Sequence, residues 1–364
     1  VATAVFLDDH LTSPKDNGFE DQNRATRERL WSYGLNIAWH PTDNLKLSLD
    51  GHLSKASALP NNPLGQTSTL FSIAQKGVAD QTLTYVNGFP QQGLTFDDSV
   101  NGNNNGILDL PDLGTQVVRS QTSSQTQTVH ELRFDGAWEM GDDDRVNFGA
   151  NYRESKMNQI ASSTQNALGD WGVGHIGDVQ ANAADLIQEF CLACKFTDYD
   201  TGATGPLLTA FRGDATKLWN AFSFTPTVNG TSHNQVNEKI WAVYAEVDAN
   251  FELMGRPANI VAGVRYEHTD STSTSFQSIP QSIDWAADND FLTVLSSDVQ
   301  PISGSNSYDH ILPSLDFSVD LTNTLKGRVS YGKSISRPDF ASLFASSNPG
   351  APNRPTYLGG VPGG

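Results

Sequence analysis

No stretch of 18 uncharged apolar residues occurs anywhere in this 364-residue chain, which excludes a membrane-spanning helix. Positive charge is scarce too: 23 Lys and Arg stand against 41 Asp and Glu, a formal net charge of -18. Nucleic-acid binding needs a basic face, so no nucleic-acid partner is expected. Apolar residues make up only 37% and the mean hydropathy is -0.39, low for a large globular core. Val1 to His10 carry neither a basic stretch nor an apolar run, so no signal peptide is expected. The chain does not begin with Met and closes on Val361, Pro362, Gly363 and Gly364, so it reads as a piece of something longer. What is plentiful is glycine, at 31, together with 9% aromatics and many Asn, Ser and Thr. That mixture fits an all-β protein with a polar interior better than a helical or α/β enzyme.

Alternation supplies the positive signal. Trp31, Tyr33, Leu35, Ile37 and Trp39 share one face, opposite Ser32, Gly34, Asn36, Ala38 and His40. Pro41 to Asn44 make a turn, and Leu45, Leu47, Leu49 and Leu53 return, alternating with Lys46, Ser48, Asp50 and His52. This is a β-hairpin by period and by turn chemistry. The unit recurs, and the four hairpins fall at residues 30–54, 129–154, 240–267 and 311–334. Four hairpins predict eight strands.

The segments between them, 56–128, 155–238 and 268–309, are far longer than the connections of a compact soluble domain. Short turns at one end and long loops at the other are the pattern of an outer-membrane β-barrel with extracellular loops. Trp31, Tyr152, Trp241, Tyr266 and Tyr331 lie at the long-loop ends, and Trp39, Trp138 and Phe251 near the short turns, so two aromatic girdles can be drawn. The opposite face carries Lys, Arg, Asp and Glu, which would be costly against lipid. A soluble antiparallel sandwich shares the alternation, whereas loop asymmetry and girdles favour the barrel. The expected fold is therefore all-β, an antiparallel transmembrane β-barrel.

At the last hairpin the residues become specific. Leu312, Pro313, Ser314 and Leu315 precede Asp320, Leu321 and Thr322, and Ser334 leads through Arg337, Pro338 and Asp339 to Phe340. This resembles the late-barrel signature of TonB-dependent outer-membrane receptors, with its "LPSL" strand, "DLT" turn and "S-x-x-RPDF" strand end. Segments 32–54 and 130–156 are similar to earlier hairpins of the branch abundant in Caulobacter- and Xanthomonas-like bacteria. Family members carry a plug domain, a TonB box and a terminal strand ending in an aromatic residue, none of which is present here. Barrels that house a plug have about 22 strands, so the chain is expected to be a partial barrel. The resemblance implies an outer-membrane location, solute capture at the cell surface, and import energised by a TonB-ExbB-ExbD complex acting through the missing plug. Outer-membrane lipid, lipopolysaccharide and a surface lipoprotein or other outer-membrane protein are the further partners expected.

The loops hold the candidate sites. From Asn101 to Asp112 the residues fit a twelve-position calcium loop. Asn101, Asn103, Asn105, Asp109 and Asp112 offer side-chain oxygens, Ile107 its carbonyl, and Gly106 the sharp turn. A plain Asn- and Gly-rich turn is the alternative, and Asp97 and Asp98 stand nearby to add charge. Cys191 and Cys194 are expected to form a disulfide, since no βαβ context or further ligand supports a redox or zinc site. Leu186, Ile187, Phe190, Phe211, Leu218, Trp219 and Phe222 recur at three- and four-residue intervals, predicting short amphipathic helices. Trp171, Trp219 and Trp285 are the candidates for stacking against a sugar. His175, His233 and His268 form no catalytic set, so no enzyme activity is expected. The leading function is active import of a scarce solute, preferably an oligosaccharide. A ferric-siderophore receptor, a passive porin and a surface adhesin are the alternatives.

Overall fold

The computed structural model describes the chain apart from residues 1–6, 87–88, 142, 169–174, 199–201, 204, 286–290 and 346–364. Its strands are β1 (Leu7–Arg24), β2 (Thr26–Thr42), β3 (Leu45–Pro60), β4 (Ser68–Val86), β5 (Phe89–Phe96), β6 (Gly114–Glu139), β7 (Arg145–Ala167), β8 (Gln188–Phe190), β9 (Ala210–Arg212), β10 (Val228–Leu253), β11 (Arg256–Trp285), β12 (Phe291–Thr322) and β13 (Leu325–Gly332). Two short helices are α1 (Asp178–Ala183) and α2 (Ala215–Ala221). Among the described residues no helix is long and apolar enough to cross a membrane. The chain divides into a loop unit, residues 1–27, 59–123 and 161–231, and a hairpin unit, residues 28–58, 124–160 and 232–364.

In the hairpin unit the four expected turns are present and the strands pair in the order β2, β3, β6, β7, β10, β11, β12, β13. The β10–β11 ladder is antiparallel and unbroken from Leu253 opposite Arg256 to His233 opposite Phe276. Its turn is Met254 and Gly255, with φ of 54° and 75°. Two successive positive φ values match the right-handed twist of the flanking strands, and glycine meets the second at no steric cost. Alternation then sorts the side chains. Leu35, Ile37, Val243, Val247, Val264, Ile311 and Val329 all point to one face and stay exposed. So broad an apolar surface, on strands with short turns at one end, is the lipid-facing band of a membrane barrel. Between Trp241 and Phe251 lie about ten residues, which at about 3.3 Å each and a tilt of about 40° cover about 25 Å, the height of a lipid-facing band. Aromatic rings close the band at both ends. Trp241 meets Tyr266 at 5.2 Å and His268 at 5.4 Å, and Phe251 meets Phe317 at 6.4 Å between ring centroids.

The expectation of eight strands and three long structureless loops needs correction. Among the described residues thirteen strands form, eleven of them in one sheet. The segments 56–128, 155–238 and 268–309 hold β4, β5 and the extensions of β6, β7, β11 and β12. In the middle of those extensions, Ser120 to Thr128 and Ser271 to Ser275, the apolar member of each alternating pair is replaced by Ser, Thr or Gln. The backbone ladder continues where the hydrophobic period stops, because Thr and its neighbours still suit a pleated, water-facing surface.

The loop unit has a core of its own. Phe71, Ile73, Leu113, Val118, Val179 and Leu218 are fully buried, and Phe19, Phe96, Trp219 and Phe222 pack around them. Asp214 caps α2 by accepting the amides of Thr216 at 2.9 Å and Lys217 at 3.0 Å. The three-four spacing is thereby confirmed for Leu218 and Trp219, which lie on α2, but not for Phe190 and Phe211. Those two sit on β8 and β9, a two-stranded ribbon, where Glu189 pairs with Phe211 and Arg212 lies over the Phe190 ring at 5.1 Å. Short apolar runs do not separate helix from strand by period alone.

Candidate functional site

Two regions concentrate polar chemistry, one in each unit. In the loop unit the segment after β5 folds around three carboxylates. Asp98, almost fully buried, accepts the backbone amides of Asn105 at 2.8 Å and Gly106 at 3.1 Å. Asp112, fully buried, accepts those of Asn103 at 3.0 Å and Asp109 at 2.9 Å. Asp109 in turn accepts the side-chain amides of Asn103 at 2.9 Å and Asn105 at 2.7 Å. The sequence register is thus partly recovered: Asn103, Asn105, Asp109 and Asp112 come together, whereas Asn101 contributes nothing and Ile107 uses its amide, donating to Asn105 Oδ1 at 2.7 Å. The residue that sequence reasoning undervalued is Asp98, noted only as neighbouring charge. Among the described residues no three His, Cys, Asp or Glu side chains converge to hold a metal ion. Burial pushes the Asp112 carboxyl upward, and the charge of Asp109 adds to the rise against the amides that oppose it.

Cys191 and Cys194 are joined in a disulfide with Cα atoms 5.3 Å apart. Beside it Leu192, Ala193, Phe196 and Leu207 line a shallow apolar cavity of about 270 Å³. Of the three tryptophans named as sugar platforms, only the side chain of Trp219 is among the described residues. Trp219 packs edge-on against Phe224 at 4.7 Å within the unit's core, and Trp171 lies outside the described residues. Trp285 ends β11, and its side chain lies outside the described residues. Of the histidines, His233 bonds Asn158 at 2.7 Å and His268 bonds Asp309 at 2.8 Å, each in its own surroundings.

In the hairpin unit the face opposite the apolar band is a lattice of charges. Tyr244 donates to Asp135 at 2.6 Å, Arg328 forks onto Asp316 at 2.6 to 3.0 Å, and Lys46 meets Glu139 at 2.6 Å. Further along, Arg265 and Arg337 both reach the buried Glu267. Beyond these charges the same face is lined by neutral hydroxyls and amides, among them Ser155, Asn234, Thr269, Ser273 and Ser275, all buried. A sheet with hydrocarbon chemistry on one side and charges with hydrogen-bonding groups on the other separates lipid from a water-filled interior.

That division defines the class: a transmembrane β-barrel of the outer-membrane kind. The family model described as "TonB dependent receptor-like, beta-barrel" matches residues 66–362, and the chain belongs to this family. It is a family of outer-membrane transporters, not of enzymes. No curated protein and no solved structure matches the chain.

Proposed function

We propose that the chain forms barrel wall and outer loops of an importer that captures an oligosaccharide at the cell surface and takes it in with energy from TonB-ExbB-ExbD. The family supplies the transport and the energy coupling. The observation that favours a sugar is the neutral amide and hydroxyl chemistry of the polar face, where Asn147 and Asn151 stay partly accessible beside the buried Ser155 and Asn234. A strain deleted for the gene is expected to grow poorly on limiting oligosaccharide and normally on the monosaccharide and on iron chelates. A defect confined to iron limitation would transfer the reading to a ferric siderophore.

Calcium in the Asn101–Asp112 loop is a second, subordinate proposal. It is supported by Asp98, Asp109 and Asp112 closing on one short segment with the Asn103 and Asn105 amides. Because the folded Asp112 carboxyl is raised above its unfolded value, ionising it costs the loop stability in full above the folded pKa, and the cost fades as pH falls from there to the unfolded value. A divalent ion would offset that cost, and protons would compete with it. Calcium at about 10⁻⁴ to 10⁻³ M is expected to slow proteolysis of this loop at pH 7.5, less so as pH falls through the raised pKa, and not in Asp98→Asn. Equal protection by calcium and by sodium would end the proposal.

A further inference from the structure

Four guanidinium groups converge on one pocket of the hairpin unit's polar face. Arg133 on β6, Arg153 on β7, Arg265 on β11 and Arg337 on the segment after β13 line a cavity of about 260 Å³. That volume is many times the ~30 Å³ share of one water molecule. The carboxylates at hand do not satisfy these cations. Asp135 is taken by Arg133 at 2.7 Å and by the Tyr244 hydroxyl. Glu267 serves Arg265 and Arg337 together. Glu131, also on the wall, accepts the Asn151 amide at 2.8 Å. Among the described residues Arg153 has no carboxylate partner and reaches only the Ser155 hydroxyl, at 3.3 Å. In addition, Arg337 Nε is buried with no acceptor. A buried donor without an acceptor is costly, and four cations facing three carboxylates leave one positive charge over.

We infer that this pocket is a subsite for a single carboxylate carried by the transported solute, an acidic sugar in the terms of the function proposed above, on which this inference rests. The charge balance selects a monoanion: one carboxylate neutralises the excess, and a second negative charge would meet Glu131 and Glu267 unopposed. Geometry agrees, since guanidinium presents its donors as a planar fork that matches the two oxygens of a carboxylate. Arg153 supplies the free fork, and Arg337 Nε supplies a donor already stripped of water. Asn151, on the wall of the same pocket, would meet hydroxyls of the rest of the sugar. Arg133 and Arg265, engaged with Asp135 and Glu267, set the pocket's potential and contribute less directly.

The test is calorimetric titration of the full-length receptor in detergent at low ionic strength, with galacturonate as probe and galactose as its neutral counterpart. Galacturonate is expected to bind at least about tenfold more tightly than galactose, because its carboxylate adds charge-assisted hydrogen bonds that galactose lacks. Arg153→Gln is expected to remove most of that preference and Arg153→Lys to keep part of it, while 0.5 M salt weakens binding in the parent. Arg153 is exposed, so both variants should fold; migration of the unheated protein on a denaturing gel checks this. Equal binding of the two sugars, no binding of galacturonate, or a preference that survives Arg153→Gln would overturn the inference. Binding without any growth defect on oligosaccharides would leave the pocket in place and remove the uptake reading. A growth defect without galacturonate binding would do the reverse.

Discussion

Val247→Arg is expected to lower the stability of the folded barrel by about 2–4 kcal/mol, the cost of a cationic side chain near the bilayer midplane. Val247 lies on β10 opposite Ala262 of β11, between the Trp241 rim and the Met254–Gly255 turn, and its side chain is exposed on the apolar face. In a soluble sheet the same change on an exposed position would be worth no more than about 0.5 kcal/mol. The two readings therefore separate cleanly. Urea titration of the full-length protein folded into phospholipid vesicles measures the difference, with Asp248→Asn on the opposite face as the comparison. A Val247→Arg cost below about 0.5 kcal/mol would mean that this face does not meet hydrocarbon.

Phe71→Ala is expected to cost the loop unit about 3–5 kcal/mol, through lost transfer free energy and the cavity left behind. Phe71 is fully buried on β4 and packs against Phe222 with ring centroids 5.1 Å apart. It lies in the same cluster as Leu113, Val179 and Leu218, so its removal loosens α1 and α2 together. Limited proteolysis should then cut between residues 178 and 222 at protease levels that leave the parent intact. Phe71→Leu, which keeps most of the volume, is expected to cost under about 1.5 kcal/mol. If Phe71→Ala resists proteolysis as well as the parent, the cluster is not what orders this unit.

The hairpins were legible because lipid on one side and water on the other impose a strict period of two. Trp31 to Trp39 and Trp241 to Val247 keep every second position apolar, with only Ala38, Ala242 and Tyr244 softening the polar face. Their extensions were not legible, since Ser120 to Thr128 and Ser271 to Ser275 have no apolar partner to mark the period and are read as loop. The helix at Leu218 and Trp219 could be foreseen from spacing, whereas Phe190 and Phe211 obey a similar spacing and form a ribbon held by pairing between distant residues. At the candidate sites the sequence supplied residue types but not their neighbours. Asp98 grips Asn105 and Gly106 across a bend that spacing does not reveal. Arg337, visible only as part of a recognisable strand end, meets Glu267 from 70 residues away.

The unbroken β10–β11 ladder bears on how this wall can be assembled at all. A slip of one residue would drive Glu246 and Asp248 into lipid and Val243 and Val247 into water, so that error is rejected at once by energy. A slip of two residues keeps both faces chemically correct and would displace Trp241 by only about 7 Å along the strand. The alternating pattern is blind to it. What forbids it is the turn, because only Met254 and Gly255 lie between the two strands, both at positive φ, and no spare residue exists to feed into either side. Proofreading of this hairpin is therefore divided: the solvent corrects odd errors, and a two-residue turn corrects even ones.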